Sequence, residues 1–227
     1  MYRRVMIGFV CLLAGSLPML AADDAPPAAS APTAAKPVIA MEEPMQGDFW
    51  TYEMRDEIAG KVKEVRTNLV TGVTATEISV RFEIKDTSTE GQNIYDRSWN
   101  LKDSAPWKYQ PHNGGGIQSP LKVGASWKAA GDDVNPTNGN IWKRTSQSKV
   151  LGQETVTTRA GTFETFKIET KINRHPTNDP TRKMEIVQQT WYAPSIDHWV
   201  KRTFVSRANN HLRTNNTFEL VEYGRKQ

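Results

Sequence analysis

The sequence has almost no cysteine: Cys11 is the only one among 227 residues. It lies in an N-terminal apolar stretch, so a chain that loses this stretch could form no disulfide and would offer no thiolate to a metal ion. No later segment approaches the roughly 18 consecutive apolar residues of a membrane span, which excludes a polytopic membrane protein. Windows with an apolar stripe of helical period are also missing after Gln46, which argues against a helical fold.

Residues 1–22 have the organisation of a secretory signal peptide. Two arginines form a positive start, an apolar run follows from Val5 to Leu20, and Ala21 and Ala22 precede an acidic pair. We expect export to the periplasm and cleavage after Ala22; the alternative is that the segment is retained as an anchor. Without it, 27 basic residues face 25 acidic ones, a balance that leaves no footprint for nucleic acid binding.

The composition changes after the signal segment. Residues 23–45 are rich in alanine and proline and contain no aromatic side chain. Such a stretch cannot bury enough apolar area to offset the entropy lost on ordering, and it predicts a disordered linker. All seven tryptophans lie between Trp50 and Trp199, so we expect a single folded domain over residues 46–227.

The dominant period of this domain is two residues, which is the signature of half-buried β-strands. Ile78, Val80 and Phe82 share one face of a segment whose other face is polar. Clusters of Gly, Pro, Asn and Asp separate such segments, as turns require. The predicted strands cover residues 50–54, 61–70, 73–86, 93–101, 125–130, 141–150, 153–158, 163–173, 183–192, 198–207 and 213–223.

These strands predict an all-β, mainly antiparallel fold, either a single curved sheet or an open or partly closed barrel of roughly ten strands. A sheet with one apolar face has to cover that face by closing into a barrel, stacking or wrapping a lid. The segment Lys102–Leu121 is too long and irregular for a hairpin turn. We expect it to form a long lid-like loop.

Four stretches carry a family resemblance: Pro120–Trp127, Ala160–Glu169, Trp191–Arg202 and Glu219–Tyr223. In this order they resemble the TapB-like exported bacterial proteins, a family of unknown function. The resemblance covers roughly the whole folded domain and implies a periplasmic, curved antiparallel sheet, distantly like the lipoprotein carriers of the envelope. It implies no activity, and no catalytic residue can be transferred from it.

No cluster of residues in the sequence identifies a reaction. The four histidines have no ligand spacing, so we expect no metal ion and no cofactor. His198 follows Asp197, but neighbouring strand residues point to opposite faces, so a base and its orienting acid would not meet. We therefore expect no catalytic residue and no enzyme activity. One alternative stays open: a glycan-acting enzyme that uses Asp132 or Asp133 with a remote acid.

Cations recur beside tryptophans in this chain. One interpretation is purely structural, since neighbouring strand residues alternate and would place the ring inside and the cation outside. The functional hypothesis is that some rings line a concave face, where they would suit an acyl chain, a lipid or a sugar, with a cation meeting a phosphate or carboxylate. The candidate ligand-binding residues are Trp107, Lys108, Tyr109, Trp127, Trp142, Lys143, Arg144 and Trp199.

We therefore expect a periplasmic, non-catalytic binder or carrier of an apolar or amphipathic envelope component, which binds to a concave face that contains tryptophan. Its partner would be a small molecule or lipid, and we expect neither nucleic acid binding nor a membrane span in the mature chain. The first alternative is a structural or protein-partner-binding envelope module. In that case exposed strand edges or the segment 102–121 would contact another protein.

Overall fold

A computed structural model describes residues 40–113 and 115–225 of the chain. The predicted signal peptide and most of the predicted linker, residues 1–39, lie outside the described residues. The described part forms twelve strands and one short 3-10 turn, Pro194–Ile196, and it contains no helix long and apolar enough to cross a membrane. The strands are β1 (Asp48–Asp56), β2 (Lys61–Val73), β3 (Glu77–Ile84), β4 (Glu90–Asp96), β5 (Leu101–Ser104), β6 (Trp107–Gln110), β7 (Ser126–Asn135), β8 (Asn140–Thr158), β9 (Gly161–Pro176), β10 (Met184–Ala193), β11 (His198–Ala208) and β12 (His211–Arg225).

These strands form a closed antiparallel barrel in which each pairs with its neighbours in sequence. β1 pairs with both β2 and β12, and this last pairing closes the sheet. Asp48, at the seam, is fully buried, and Arg225 Nη2 donates a hydrogen bond to its Oδ2 over 3.0 Å. The all-β, mainly antiparallel prediction is confirmed, and the barrel is closed, with twelve strands where the sequence predicts roughly ten.

The additional strands come from the segment predicted to be a lid-like loop. β5 and β6 form a short hairpin that completes the barrel between β4 and β7. Strands of four residues are too short to show an alternation in the sequence, so the sequence does not predict them. The residues after β6 fold back onto the loop that follows β4, where the Ile117 N–H donates to the Ser98 carbonyl oxygen over 2.7 Å.

Gly116 makes this close approach possible. Its N–H donates to Asn100 Oδ1 over 2.7 Å, and its Cα lies so near the neighbouring loop that an added Cβ would be 2.0 Å from the Ser98 carbonyl oxygen. The contact therefore requires a residue without a side chain. It holds the loop after β6 against the barrel.

The longest strands, β8 and β9, form a hairpin with a bulge in β8. The sequence predicts two strands over the residues of β8, but Val150 pairs with Ile168 and Gly152 with Lys167, so Leu151 is an extra residue within one continuous strand. A bulge bends the strand that carries it. Beyond the bulge, the tip of the hairpin packs into the hydrophobic core through Ala160 and Phe163.

The hydrophobic core fills one end of the barrel, where β1 begins and β12 finishes, and we call this the filled end. Met41, from the segment before β1, is 2% exposed there, and its N–H donates to the Ser195 carbonyl oxygen over 2.7 Å. Met41 is thus packed into the core, although it precedes Gln46, the predicted start of the folded domain. The buried cluster consists of Met41, Trp50, Tyr52, Val70, Ile78, Val80, Ala160, Phe163, Trp191, Ala193, Ile196, Val200 and Leu220.

The opposite end of the barrel carries short turns. Asn209 and Asn210, between β11 and β12, both have positive φ angles, 49° and 64°. Two such residues form the two-residue hairpin loop whose twist matches that of the flanking strands, and asparagine tolerates this conformation. Between β1 and β2, Asp56 Oδ1 accepts hydrogen bonds from the N–H groups of Ile58 and Ala59. Neither turn contributes a residue to the buried cluster of the filled end.

Candidate ligand-binding cavity

The barrel interior contains a cavity of about 590 Å³ beyond the filled end. Its walls are inward-facing side chains from most of the strands, since alternate residues of a strand point to the same face. The loop after β6 contributes His112, Gly116 and Ile117 to the lining. The volume lies within the range of about 300–1,000 Å³ that is typical of small-molecule sites.

A group of aromatic rings forms the floor of the cavity next to the filled end. Trp199 is stacked on Tyr52, with ring centroids 3.7 Å apart, and the Tyr52 hydroxyl donates to the Trp199 carbonyl oxygen over 2.8 Å. His198 is stacked on Trp99 at 4.6 Å and meets Trp50 at 4.4 Å. Burial lowers the pKa of His198 well below its usual value. The imidazole is therefore neutral near pH 7 and belongs to this aromatic floor.

Further from the floor, the cavity wall is largely apolar. Phe218 meets the edge of Trp199 at 6.2 Å. The apolar wall residues point into the barrel yet are partly exposed rather than buried, so other side chains do not cover them. Concave apolar surface of this kind is typical of a site for an apolar ligand. The wall residues of this type are Met54, Phe82, Ile172, Phe204 and Phe218.

Two arginines project into this apolar space from different strands. Arg66 of β2 lies with its guanidinium carbon 3.7 Å from the ring centroid of Phe82, and Arg202 of β11 lies 4.4 Å from that of Trp199. Burial lowers the pKa of both guanidinium groups. Contact with an aromatic face partly replaces the lost water. The cavity thus combines apolar walls with cationic groups.

A buried carboxylate on β7 neutralises two other arginines of the barrel. Asp133 is fully buried; Arg144 Nε donates to its Oδ1 over 3.0 Å, and Arg174 Nη2 lies 2.7 Å from its Oδ2. Its neighbour Asp132 accepts from Lys143 over 2.8 Å. Both carboxylates of the glycan-acting alternative therefore have cationic partners.

Asp197 and His198 have separate partners in the structure. Asp197 accepts hydrogen bonds from the Tyr192 hydroxyl and from Trp99 Nε1, the latter over 3.1 Å. Burial raises the pKa of Asp197, while His198 lies in the aromatic floor. Across residues 40–113 and 115–225, no group of three or more His, Cys, Asp or Glu side chains is arranged to hold a metal ion.

Three of the residues that the sequence analysis named as ligand-binding line the cavity: Tyr109, Arg144 and Trp199. They come from different strands, β6, β8 and β11, and only closure of the barrel brings them to the same space. Burial raises the pKa of Tyr109, with the nearby Asp133 acting in the same direction. Its phenol therefore stays protonated in the cavity wall at neutral pH.

The two lysines of that set lie on the outer side of the barrel. Lys108 Nζ donates to Asp103 over 3.0 Å, and Lys143 pairs with Asp132; about half of each lysine side chain is exposed. Each is adjacent in sequence to a residue that faces inward, which is the alternation expected of a strand.

The remaining tryptophans of the set have packing partners outside the cavity lining. Trp127 packs against a second buried cluster that includes Val150 and Ile168. Trp142 lies between two guanidinium groups, with Arg174 at 5.5 Å and Arg182 at 5.4 Å from its ring centroid. A further one, Trp107, is half-buried at the start of β6.

Sequence reasoning missed the two arginines that face the apolar walls. The signal that could have found Arg202 is its position between Val200 and Phe204, where alternation assigns all three residues to the inward face. A cation at an inward position of an apolar face is unusual, because burial of a charge is costly. Searching for adjacent tryptophan and lysine instead selected residues on opposite faces.

Comparisons with known proteins identify a fold but no activity. Residues 125–203 match a protein family described as DUF3108-like, and the more specific TapB-like resemblance stays a prediction. A search of curated proteins gives no match. Among solved structures, a proposed lipoprotein of Parabacteroides distasonis is similar with a TM-score of 0.56 and 13% identity, over 83% of this chain and 100% of that one.

Two further structures are more distant. A proposed exported protein of Bacteroides fragilis with a YmcC-like fold has a TM-score of 0.46 and 14% identity, over 82% of this chain and 100% of that one. The hypothetical lipoprotein YmcC of Escherichia coli has a TM-score of 0.45 and 8% identity, over 77% of this chain and 84% of that one. At such identities the likeness concerns the fold alone.

Proposed function

We propose that this chain is an exported, non-catalytic protein that binds an apolar or amphipathic component of the cell envelope inside its barrel. The observation that carries the proposal is the cavity of about 590 Å³, whose walls present uncovered apolar side chains to the interior. Transfer of apolar ligand surface from water into such a space contributes about 25 cal/mol for each Å² buried. Burial of apolar surface alone can therefore drive binding, and the proposal involves no catalytic group.

A periplasmic location is part of this proposal. Its support is the arrangement of residues 1–22, which is that of a signal peptide. The description of the Parabacteroides distasonis protein as a lipoprotein agrees with it. A protein that binds an envelope lipid would meet its ligand in that compartment.

The other functions considered from the sequence have less support. A partner that extends the sheet needs a free edge strand, whereas β1 and β12 of the described barrel pair with each other. A glycan-acting enzyme needs a free carboxylate pair, whereas Asp132 and Asp133 are both engaged by cations. We therefore propose ligand binding as the principal function.

A neutral fluorescent probe tests this proposal. N-phenyl-1-naphthylamine becomes fluorescent in apolar surroundings, and we expect the purified protein to bind it with one site. Thr214 lines the cavity, whereas Thr217 lies three residues further along the same strand and is absent from the lining. Thr214→Trp should fill part of the cavity and lower probe affinity about 10-fold, which corresponds to about 1.4 kcal/mol of binding free energy.

Thr217→Trp is the matched control and should change probe affinity less than about 2-fold, since an outward ring leaves the cavity open. Absence of probe binding by the wild-type protein would refute the proposal. Equal decreases in affinity in the two variants would refute the assignment of the site to the barrel interior.

Mass spectrometry of protein exported with its own leader tests both location and cargo. The denatured mass should correspond to a chain that begins at Asp23, and the native spectrum should contain an additional mass that disappears on denaturation. An intact leader would contradict cleavage after Ala22. A native spectrum of apo protein alone would favour an interaction module instead of a carrier.

A further inference from the structure

We infer that the ligand carries a negatively charged head group, a carboxylate or a phosphate, which binds to Arg66 and Arg202 inside the cavity. This inference rests on the proposed function and adds the chemical class of the ligand. It is based on the contacts of these two arginines in the described part of the chain. Among those residues, each forms hydrogen bonds only with neutral groups, and neither has a carboxylate partner.

The barrel contains two kinds of inward-facing arginine. Arg144 and Arg174 share the carboxylate of Asp133. Arg66 and Arg202, by contrast, have no carboxylate within ion-pair distance among residues 40–113 and 115–225. Both guanidinium groups keep some exposed surface inside the cavity, so an anion that enters the cavity can reach them. A partly desolvated guanidinium without a carboxylate partner is stabilised by such an anion.

Arg202 has the larger unused capacity for hydrogen bonds. Its Nε donates to Thr190 Oγ1 over 3.2 Å, an atom that also accepts from Gln188 Nε2 over 3.1 Å. In the described residues its two terminal nitrogens donate to no protein atom. A guanidinium presents its donors as a planar fork that matches the two oxygens of a carboxylate or phosphate.

Arg66 is held in place but keeps donors for a ligand. Its Nε donates to Asn68 Oδ1 over 3.1 Å. The amide of Asn93, oriented so that its oxygen accepts from the Tyr95 hydroxyl over 3.1 Å, also accepts from Arg66 Nη2 over 3.3 Å. These contacts fix the direction of the side chain. The guanidinium lies against the ring of Phe82, and both residues line the cavity.

The two guanidinium groups face a common space. Tyr95 lies near enough to both to act electrostatically on each, raising the pKa of Arg66 and of Arg202 against the lowering caused by burial. Glu64 also lines the cavity and raises the pKa of Arg66, but it does not come within ion-pair distance. An anion that enters the cavity would therefore lie in the field of two cations, Arg66 and Arg202.

A competition experiment separates the charge of the head group from the apolar tail. Dodecanoate, dodecyl phosphate and dodecanol have the same apolar tail and differ in the head group. Each is titrated against N-phenyl-1-naphthylamine bound to the exported protein, and displacement of the probe gives its affinity. Since a hydrogen-bonded charge pair raises affinity about 10-fold to 100-fold, we expect at least one anion to bind that much more tightly than the alcohol. The stronger of the two anions identifies the head group as carboxylate or phosphate.

Variants assign this preference to the arginines. Arg202→Gln should remove most of the advantage of the anion, because it should lower the affinity for the anion about 10-fold more than the affinity for dodecanol. Arg66→Gln should have a smaller effect of the same kind and provides a second test if Arg202→Gln does not fold, as judged by circular dichroism. Arg81→Gln is the matched control, since Arg81 is an exposed arginine of β3 that pairs with Glu83 at 2.9 Å.

The outcomes distinguish this inference from the function on which it rests. Equal affinity of the wild-type protein for the alcohol and both anions would overturn the inference while probe binding still supported the carrier. An anion preference that persists in both cavity variants, or that is lost equally in Arg81→Gln, would also overturn it. Failure of the neutral probe to bind would remove the proposed function itself.

Discussion

The two halves of the barrel interior differ although the same strands build both. On β12, Leu220 is fully buried at the filled end, whereas Phe218, two residues earlier, is partly exposed to the cavity. On β11, Val200 is fully buried and Arg202 faces the cavity. The same alternation of inward-facing residues therefore forms a core in one half of the barrel and lines a cavity in the other. The proposed ligand site is thus separated from the core along the barrel.

Segments outside the strand ladder decide which half is filled. The filled end receives Met41 from the segment before β1, Phe163 from the tip of the β8–β9 hairpin and Ile196 from the 3-10 turn. The loop after β6 contributes to the cavity lining and also packs, through Ile117 and Leu121, against the second buried cluster. Barrels with many strands leave internal space unless other segments occupy it.

The largest expected effect is the difference in stability between substitutions in the two halves of the barrel interior. Leu220→Ala removes a fully buried side chain and should lower the free energy of unfolding by about 3 kcal/mol, through lost apolar transfer and a new cavity. Phe218→Ala on the same strand faces existing space and should cost about 1 kcal/mol. Urea unfolding of both variants measures the difference. Equal decreases in stability would mean that the two halves contribute alike to it.

A second substitution tests the loop that lines the cavity. Gly116→Ala would place a Cβ against the Ser98 carbonyl oxygen, so the loop must shift, and we expect a loss of about 2 kcal/mol of stability together with weaker probe binding. Gly115→Ala is the control, because a Cβ there meets nothing within 4 Å. Thermal unfolding and probe titration measure both effects. A normal Gly116→Ala protein would show that the loop is not held by this contact.

The aromatic floor should make stability depend on pH. His198 has a lowered pKa in the folded protein, whereas histidine in an unfolded chain titrates near about 6.5. Below that pH the unfolded state binds more protons, so the free energy of unfolding should decrease as pH falls, by up to about 1.4 kcal/mol per unit. Asp197, whose raised pKa acts in the opposite sense, and Arg202 lie close to this histidine.

Comparison of variants isolates the contribution of His198. His198→Gln should flatten the decrease between about pH 6.5 and about pH 5 in urea unfolding, while Asp197 and Arg202 remain present in both proteins. His211→Gln, at an exposed position, is the matched histidine control. An unchanged slope in His198→Gln would contradict a neutral buried histidine in the aromatic floor.

The smallest effect is expected on the outer surface. Lys143→Ala removes an exposed ion pair with Asp132 and should change the free energy of unfolding by less than about 0.5 kcal/mol. Probe affinity should be unchanged, because this lysine lies outside the cavity. A clear loss of binding would extend the site beyond the barrel interior and weaken the contrast between its two halves.

Much of the fold could be predicted, because strand alternation is local. The pattern of Ile78, Val80 and Phe82 indicates which face of β3 is buried without knowledge of its partners. The β5–β6 hairpin could not be predicted, since its strands are too short for a pattern. Closure depends on the pairing of β1 with β12, and no local signal encodes a contact between opposite ends of the chain.

The candidate site was only partly predictable for the same reason. Trp199, Tyr109 and Arg144 were named from the sequence, and the structure brings them to one cavity. Arg66 and Arg202 were missed, although both occupy inward positions of their strands. Whether an inward residue meets core or open space depends on what fills the barrel at that height, and neighbouring sequence does not contain this information.

The sequence by itself determined most of the strands, their inward faces and the class of fold, because periodicity and turn chemistry act over a few residues. Only the tertiary structure decided that the sheet closes, that Met41 and the β8–β9 tip fill one end, and that Arg66 and Arg202 face a common space. Those features depend on contacts between residues far apart in the chain, which form only when the whole barrel has closed.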